Sequence, residues 1–154
     1  MKIEFIFTGK TTEKWIEEGC TNYLNRIKRY AKAEVKVINA SVSGFSPEVQ
    51  RKKESALILE KVSGKDLIIL LDEKGKQFTS EEFAKQMNKF NTSGKTKIAF
   101  IVGGAYGADL LLQKQANLIL SFSKMTFTHQ MIRLLLLEQV YRAFTILKNE
   151  KYHH

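Results

Sequence analysis

Lys97-Ile98-Ala99-Phe100-Ile101-Val102-Gly103-Gly104-Ala105-Tyr106-Gly107 is an apolar run that breaks on glycines. The apolar part reads as a strand. Glycines at a strand end let backbone amides approach a ligand closely, because no Cβ stands in the way. A second apolar run, Leu118-Ile119-Leu120, leads into Ser121-Phe122-Ser123-Lys124-Met125-Thr126-Phe127-Thr128-His129-Gln130. Met131 to Leu147 follows, the most apolar helical stretch of the chain. Two strand ends of this kind point to one pocket, built from loops at the same edge of a sheet.

Upstream, Ile3-Glu4-Phe5-Ile6-Phe7 reads as a strand and Thr12 to Arg29 as a helix. Trp15, Ile16, Gly19, Tyr23, Ile27 and Tyr30 fall close to one face of that helix, and its end is basic (Arg26, Lys28, Arg29, Lys32). Glu34-Val35-Lys36-Val37-Ile38 alternates as a second strand. Ser41 to Ser46 is a loop of small residues. Ser46-Pro47-Glu48 then opens a helix, with Ser as cap, Pro at its first position and Glu against the helix dipole. It carries Arg51-Lys52-Lys53 and ends near Gly64. Asp66 to Leu71 has the continuous apolar pattern of a strand buried on both faces. Asp72 to Lys76 reads as a polar turn. Thr79 and Glu82 form a capping box for a helix running to about Phe90.

The alternation of strand and helix predicts an α/β fold: a mostly parallel sheet of five to six strands with helices on both faces. The 154 residues fit a single domain, without repeat or linker. Apolar residues make up 44%, enough for a globular core. Lys and Arg number 25 against 16 Asp and Glu, a formal charge of +9, which favours a polyanionic partner, nucleic acid before membrane. A lone cysteine, Cys20, excludes an internal disulfide and a cysteine-based metal cluster, and indicates a reducing cytoplasm. Met1 to Phe7 lacks the features of a signal peptide, and no apolar run is long enough to span a bilayer.

In sheets of this class, ligands bind outside the carboxyl ends of the strands. Three ends qualify: Leu71-Asp72, Val102-Gly103 and Leu120-Ser121. Thr8-Gly9-Lys10 after the first strand has no Gly-x-Gly-x-x-Gly pattern, which disfavours a dinucleotide site or a flavodoxin-type phosphate loop. A non-catalytic RNA-binding protein would explain the charge but not the paired strand-end loops.

At this point the chain resembles the RlmH family of SPOUT-class RNA methyltransferases. The matching residues are Ile101-Val102-Gly103-Gly104-Ala105-Tyr106-Gly107, Leu120 to Phe127, His129-Gln130, Arg133, Glu138-Gln139, Tyr141-Arg142-Ala143 and Tyr152-His153. Thr128, Asn149-Glu150-Lys151 and His154 depart from the family pattern. The resemblance implies a SPOUT (trefoil-knotted) domain, its C-terminal part threaded through a loop. It implies a homodimer that methylates N3 of a pseudouridine in 23S ribosomal RNA, within the ribosome, with S-adenosylmethionine as donor and no metal.

Such a site must hold an adenosine and align donor with acceptor. The cofactor candidates are therefore Leu71, Gly103, Gly104 and the loop Phe122, Ser123, Lys124, Met125, Thr126 and Phe127, with Leu71, Phe122, Met125 and Phe127 offering apolar faces to adenine. His129 either orients the substrate and accepts a proton or caps and packs the last helix. Tyr152 and His153 are catalytic candidates at a terminus that would otherwise fray. Arg142 pairs with Glu138 one turn away or serves RNA phosphates, as do Arg51, Lys52 and Lys53. The last helix is apolar nearly all round, so one side is expected on the sheet and the other, with Leu136 and Val140, on a partner subunit.

Overall fold

Apolar side chains that alternate along neighbouring strands sort themselves onto two faces, and that sorting builds this molecule. The computed structural model describes residues 1–40 and 42–153; Ser41 of the expected loop and the terminal His154 lie outside them. The strands are β1 (Lys2–Thr8), β2 (Lys32–Ile38), β3 (Leu67–Lys76), β4 (Lys97–Val102) and β5 (Leu118–Leu120). The helices are α1 (Lys14–Ile27), α2 (Pro47–Val62), α3 (Ser80–Thr92), α4 (Leu110–Gln115) and α5 (Met131–Leu147), followed by a 3-10 turn, Lys151–His153. All five strands form one sheet in the order β2-β1-β4-β3-β5, and every pair is parallel.

Ile3, Phe5 and Phe7 of β1 and Ile98, Phe100 and Val102 of β4 point to one face, where α1, α3 and α5 cover them. Phe5 stacks on Phe100 with centroids 5.6 Å apart. Ile6, Ala99, Ile101 and Leu70 point to the other face, under Ile58 and Val62 of α2 and Leu112 of α4. Crossovers towards β2 and towards β4 carry their helices on the first face. Those in the opposite direction carry theirs on the second, as a single crossover handedness requires.

The helix starts follow the sequence. Ser46 accepts from the Val49 N–H, and Thr79 and Glu82 close the capping box. Three expectations change. Trp15 is 55% exposed, pointing away from the core that Ile16 enters. Asp72 to Lys76 is no turn but the continuation of β3: Leu71 and Lys76 both lie opposite Leu120, with residues 72–75 looped between them. The Ser121 N–H donates to the Lys76 carbonyl at 3.0 Å. The chain leaving β5 therefore passes a loop closed by β3, where the resemblance expects the threading. Finally, Leu136 and Val140 of α5 are fully buried in their own subunit, so they cannot face a partner. The helix is apolar all round because the sheet, α1 and α3 cover it within one chain. Gly19 of α1 leaves room for Leu134; a Cβ there would come within 2.8 Å of Leu134 Cδ1.

A cavity at three strand ends

The carboxyl ends of β3, β4 and β5 are neighbours in the sheet, so the loops leaving them meet. They enclose a cavity of about 620 Å³, within the range that takes a drug-sized ligand. Leu71 and Asp72 come from β3, Val102 to Ala108 from the turn after β4, and Leu120 to Ser123 with Met125 to Phe127 from the loop after β5. His129 and Ile132 close it at the start of α5, and Arg51 reaches it from α2.

Each wall has a local cause. The Gly107 N–H donates to the Gly104 carbonyl at 3.1 Å, and Gly107 has φ +75°, so the turn after β4 folds back on itself. A Cβ on Gly103 would lie 3.2 Å from the Gly107 backbone. A Cβ on Gly104 would lie 2.6 Å from Oε2 of Glu54, on α2. The two glycines are thus demanded by the turn's own closure and by α2, and their backbone is left to face the cavity. Glu54 is buried; its Oε1 accepts from Gln50 at 3.3 Å and its Oε2 has no protein partner among the described residues. Burial pushes its carboxyl pKa up.

The loop after β5 is held by its own hydroxyls. Ser121 Oγ donates to the Ser123 carbonyl at 2.8 Å, and Ser123 Oγ accepts from the Met125 N–H at 2.9 Å. Thr128 Oγ1 accepts from the Met131 N–H at 3.1 Å, so Thr128, rather than His129, caps α5.

His129 is half-buried on the cavity wall. Its neighbour Gln130 accepts from the Thr12 N–H through Oε1 (2.9 Å) and donates from Nε2 to the Lys10 carbonyl (3.1 Å). Those backbone contacts fix the amide, so Gln130 Nε2 also donates to His129 Nε2, 3.3 Å away. Burial, then the nearby Arg133 charge, lowers the His129 pKa. Both causes favour the neutral imidazole, and a neutral ring that accepts from Gln130 at Nε2 carries its proton on Nδ1, the geometry of a donor. Arg133 itself is fully buried and clamps the end of β1. It donates to the carbonyls of Thr8 (2.6 Å) and Gly9 (3.1 Å) and to Thr11 Oγ1 (2.9 Å), with Cζ 5.1 Å from the Phe7 ring centroid.

Of the cofactor candidates, Leu71, Gly103, Gly104, Phe122, Ser123, Met125, Thr126 and Phe127 line this one cavity; Lys124 is exposed and does not. Of the basic trio only Arg51 reaches it. Lys52 pairs with Glu48 at 3.2 Å and Lys53 lies over the Phe45 ring at 4.2 Å. Arg142 on α5 and Tyr152 and His153 in the 3-10 turn packed against it lie elsewhere. Arg142 Nε donates to Glu138 Oε1 at 3.0 Å, and Tyr152 Oη donates to the same oxygen at 3.0 Å while sharing a bond with Tyr23 Oη, also 3.0 Å. The His153 ring contacts Glu81 Oε1 at 2.7 Å. Tyr152 meets the Tyr141 ring edge-on at 4.7 Å. This terminus is docked rather than frayed. Glu54 and Gln113, which help to frame the site, were not foreseeable, because neither lies near a strand end in sequence.

The family model described as "Predicted SPOUT methyltransferase" matches residues 1–153. Over 156 residues the chain is 43% identical to the "Ribosomal RNA large subunit methyltransferase H" of Christiangramia forsetii, covering 100% of this chain and 99% of that protein. It is 41% identical over 154 residues to the protein of the same name from Geobacter sulfurreducens, covering 100% of both. Among solved structures, a probable methyltransferase from Bordetella pertussis superposes with a TM-score of 0.58 at 14% identity, covering 92% of this chain and 95% of that one. A probable methylase family protein from Haemophilus influenzae gives 0.57 at 14% identity, over 98% of this chain and 69% of that one. At such identities the structures share the fold alone.

Proposed function

The chain belongs to the RlmH family of SPOUT methyltransferases, and from that premise we propose that it transfers a methyl group from S-adenosylmethionine to N3 of a pseudouridine in 23S ribosomal RNA. The observation that carries this reading is the cavity at the ends of β3, β4 and β5, where apolar side chains and a bare glycine backbone face one space. It fits an adenosine: Leu71, Phe122, Met125 and Phe127 offer faces to a flat base, and the Gly103–Gly104 backbone offers N–H and C=O groups to its polar edges.

Bound there, S-adenosylmethionine supplies an electrophilic methyl group, and the transfer needs no metal and no covalent enzyme intermediate. The protein's part is alignment. His129 presents a neutral Nδ1–H to the acceptor base and holds its plane. Arg51, at the cavity's edge, takes a phosphate of the bound strand. As the methyl group leaves the sulfonium, the N3 proton passes to a carboxylate on the same wall, Asp72 or Glu73.

Tyr152 and His153 do not line their own chain's cavity, so we assign them to the cavity of a second copy. A homodimer is further supported by exposed apolar side chains around the cavity, Tyr106, Leu110, Met125 and Phe127, and by Trp15 on the first turn of α1. The protein would act as one domain, in the cytoplasm, where ribosomes are; among the described residues no helix is long and apolar enough to cross a membrane.

Calorimetry with S-adenosylmethionine, paired with transfer of labelled methyl to ribosomes, tests the reading. Saturable binding with label in 23S RNA is expected. RNA binding without any affinity for S-adenosylmethionine would leave a non-catalytic RNA-binding protein instead.

A further inference from the structure

The amino ends of the strands, opposite the cavity, carry a second concave surface. Lys2, Lys28, Arg29, Lys32 and Lys97 line it, with Tyr30 in its wall. All five cations are exposed. Their arrangement follows from the sheet. Lys32, Lys2 and Lys97 are register partners at the starts of β2, β1 and β4, so they stand side by side on three adjacent strands. Neighbouring strands lie about 4.8 Å apart, which roots three lysine side chains in a row about 10 Å wide. Lys28 and Arg29, in the turn from α1 to β2, add two more charges at one end of the row.

Like charges in register repel, and the protein relieves that repulsion chiefly at the central lysine. Lys2 has carboxylates at 3.2 Å (Glu4) and 3.3 Å (Glu34), the latter in the same groove. Among the described residues, Lys28, Arg29, Lys32 and Lys97 have no ion pair within 4.0 Å. Asp66, whose Oδ2 accepts from the Lys97 N–H at 2.8 Å, adds a carboxylate at the far end. The basic end of α1 is thus not a solvated helix face spread around a cylinder, but part of one strip in which cations outnumber carboxylates.

We propose that this groove is a second RNA-docking surface, gripping phosphates of the ribosomal RNA at a distance from the target nucleotide. The inference rests on the ribosomal RNA reading given above. Charge complementarity selects the occupant: a strip of cations in a groove matches a phosphate backbone and reads no sequence. β1 has seven residues, so the strip lies about 20 Å from the cavity at ~3.3 Å per residue. An RNA that touches both must extend over that span, which a short single-stranded fragment around the target does not do. The substrate class is therefore folded ribosomal RNA.

The test compares two variants of equal net charge. One is Lys28→Gln/Arg29→Gln/Lys32→Gln; the other, Lys61→Gln/Lys85→Gln/Lys89→Gln, removes three exposed lysines from other surfaces. Binding to ribosomes is titrated at several salt concentrations, with S-adenosylmethionine calorimetry and melting temperature as controls for the fold. The strip variant should lose about tenfold in affinity at 0.1 M salt, with a salt slope shallower by about two, as loss of two or three phosphate contacts requires. The control triple should shift the slope by less than one, and both should bind S-adenosylmethionine like the wild type. Equal slopes for the two triples, or wild-type preference for anionic vesicles over ribosomes, would overturn the docking surface. A wild type that binds neither ribosomes nor S-adenosylmethionine would overturn the methyltransferase reading itself.

Discussion

Gly75 lies hard against the backbone of β5. A Cβ there would lie 2.6 Å from the Leu120 carbonyl carbon and 2.7 Å from the Ile119 carbonyl oxygen, both backbone atoms that cannot swing aside. Gly75→Ala should cost roughly 2–4 kcal/mol in a denaturant titration, the scale of a forced core rearrangement. A wild-type midpoint would mean that the β3 loop does not press on β5. Gly104 differs in kind, since its obstacle is the Glu54 carboxylate. Gly104→Ala should weaken S-adenosylmethionine binding about tenfold by displacing the turn, and Glu54→Ala added to it should restore most of the loss; calorimetry on the double variant decides. His129 yields a sharper test. With Nδ1 as donor, His129→Asn places an amide N–H where Nδ1–H was, whereas His129→Gln places it where Nε2 was. Methyl transfer should survive better in the Asn variant; the reverse order in single-turnover rates would put the proton on Nε2.

Among the elements, β1 carries the clearest pH signature. Glu4 is 1% exposed. Burial alone would raise its carboxyl pKa, but Lys65 (2.5 Å), Lys36 (3.0 Å) and Lys2 (3.2 Å) outweigh that and hold it at about 2. A folded pKa below the unfolded one stabilises the protein above about pH 4.5. That contribution, on the order of 3 kcal/mol, fades as pH falls from 4.5 towards 2. Glu4→Gln should therefore lower stability at pH 7 and flatten its decline between pH 5 and pH 2. The C-terminal turn behaves as a packed element too. A chain ending at Lys151 loses the Tyr152 bond to Glu138 and its contact with Tyr141, and should melt a few degrees lower. It should still bind S-adenosylmethionine but transfer no methyl group. A mixed dimer of one such subunit and one Gly104→Val subunit should regain about half the activity, because one of its two cavities has both an intact wall and the neighbour's tail. No recovery would place the tail's work in its own subunit.

These elements also show what the sequence could tell. The ends of β4 and β5 were legible because glycine and serine interrupt apolar runs there, and Thr79–Glu82 because a capping box is local. The return of β3 to β5 at Lys76 was not. The polar side chains of residues 72–75 imitate a turn, and what draws Lys76 back into the sheet is β5, far along the chain. The direction of Leu136 and Val140 was hidden for a similar reason: an apolar periphery says that a helix is covered, not by what. Which two of Arg51, Lys52 and Lys53 turn aside depends on Glu48 and Phe45, and periodicity does not resolve that.

At the scale of the whole molecule, charge and exposed apolar surface set the partners. The +9 charge is gathered in part into the strip at the strands' amino ends, while apolar side chains are exposed around the cavity. Light scattering should report a dimer. Trp15→Glu should yield a folded monomer, since that side chain is exposed in the isolated chain, whereas Leu136→Asp should unfold the protein by burying an unpaired charge. A folded dimeric Trp15→Glu would move the interface off α1. The central claim is methyl transfer to N3 of a pseudouridine, and N3 methylation blocks the Watson–Crick edge. Primer extension on 23S RNA from unmodified ribosomes, after incubation with the protein and S-adenosylmethionine, reads that edge directly. The account predicts one new stop at a pseudouridine, dependent on S-adenosylmethionine and absent with Gly104→Val; full-length extension with methyl label in the RNA, or a stop at another base, would contradict it.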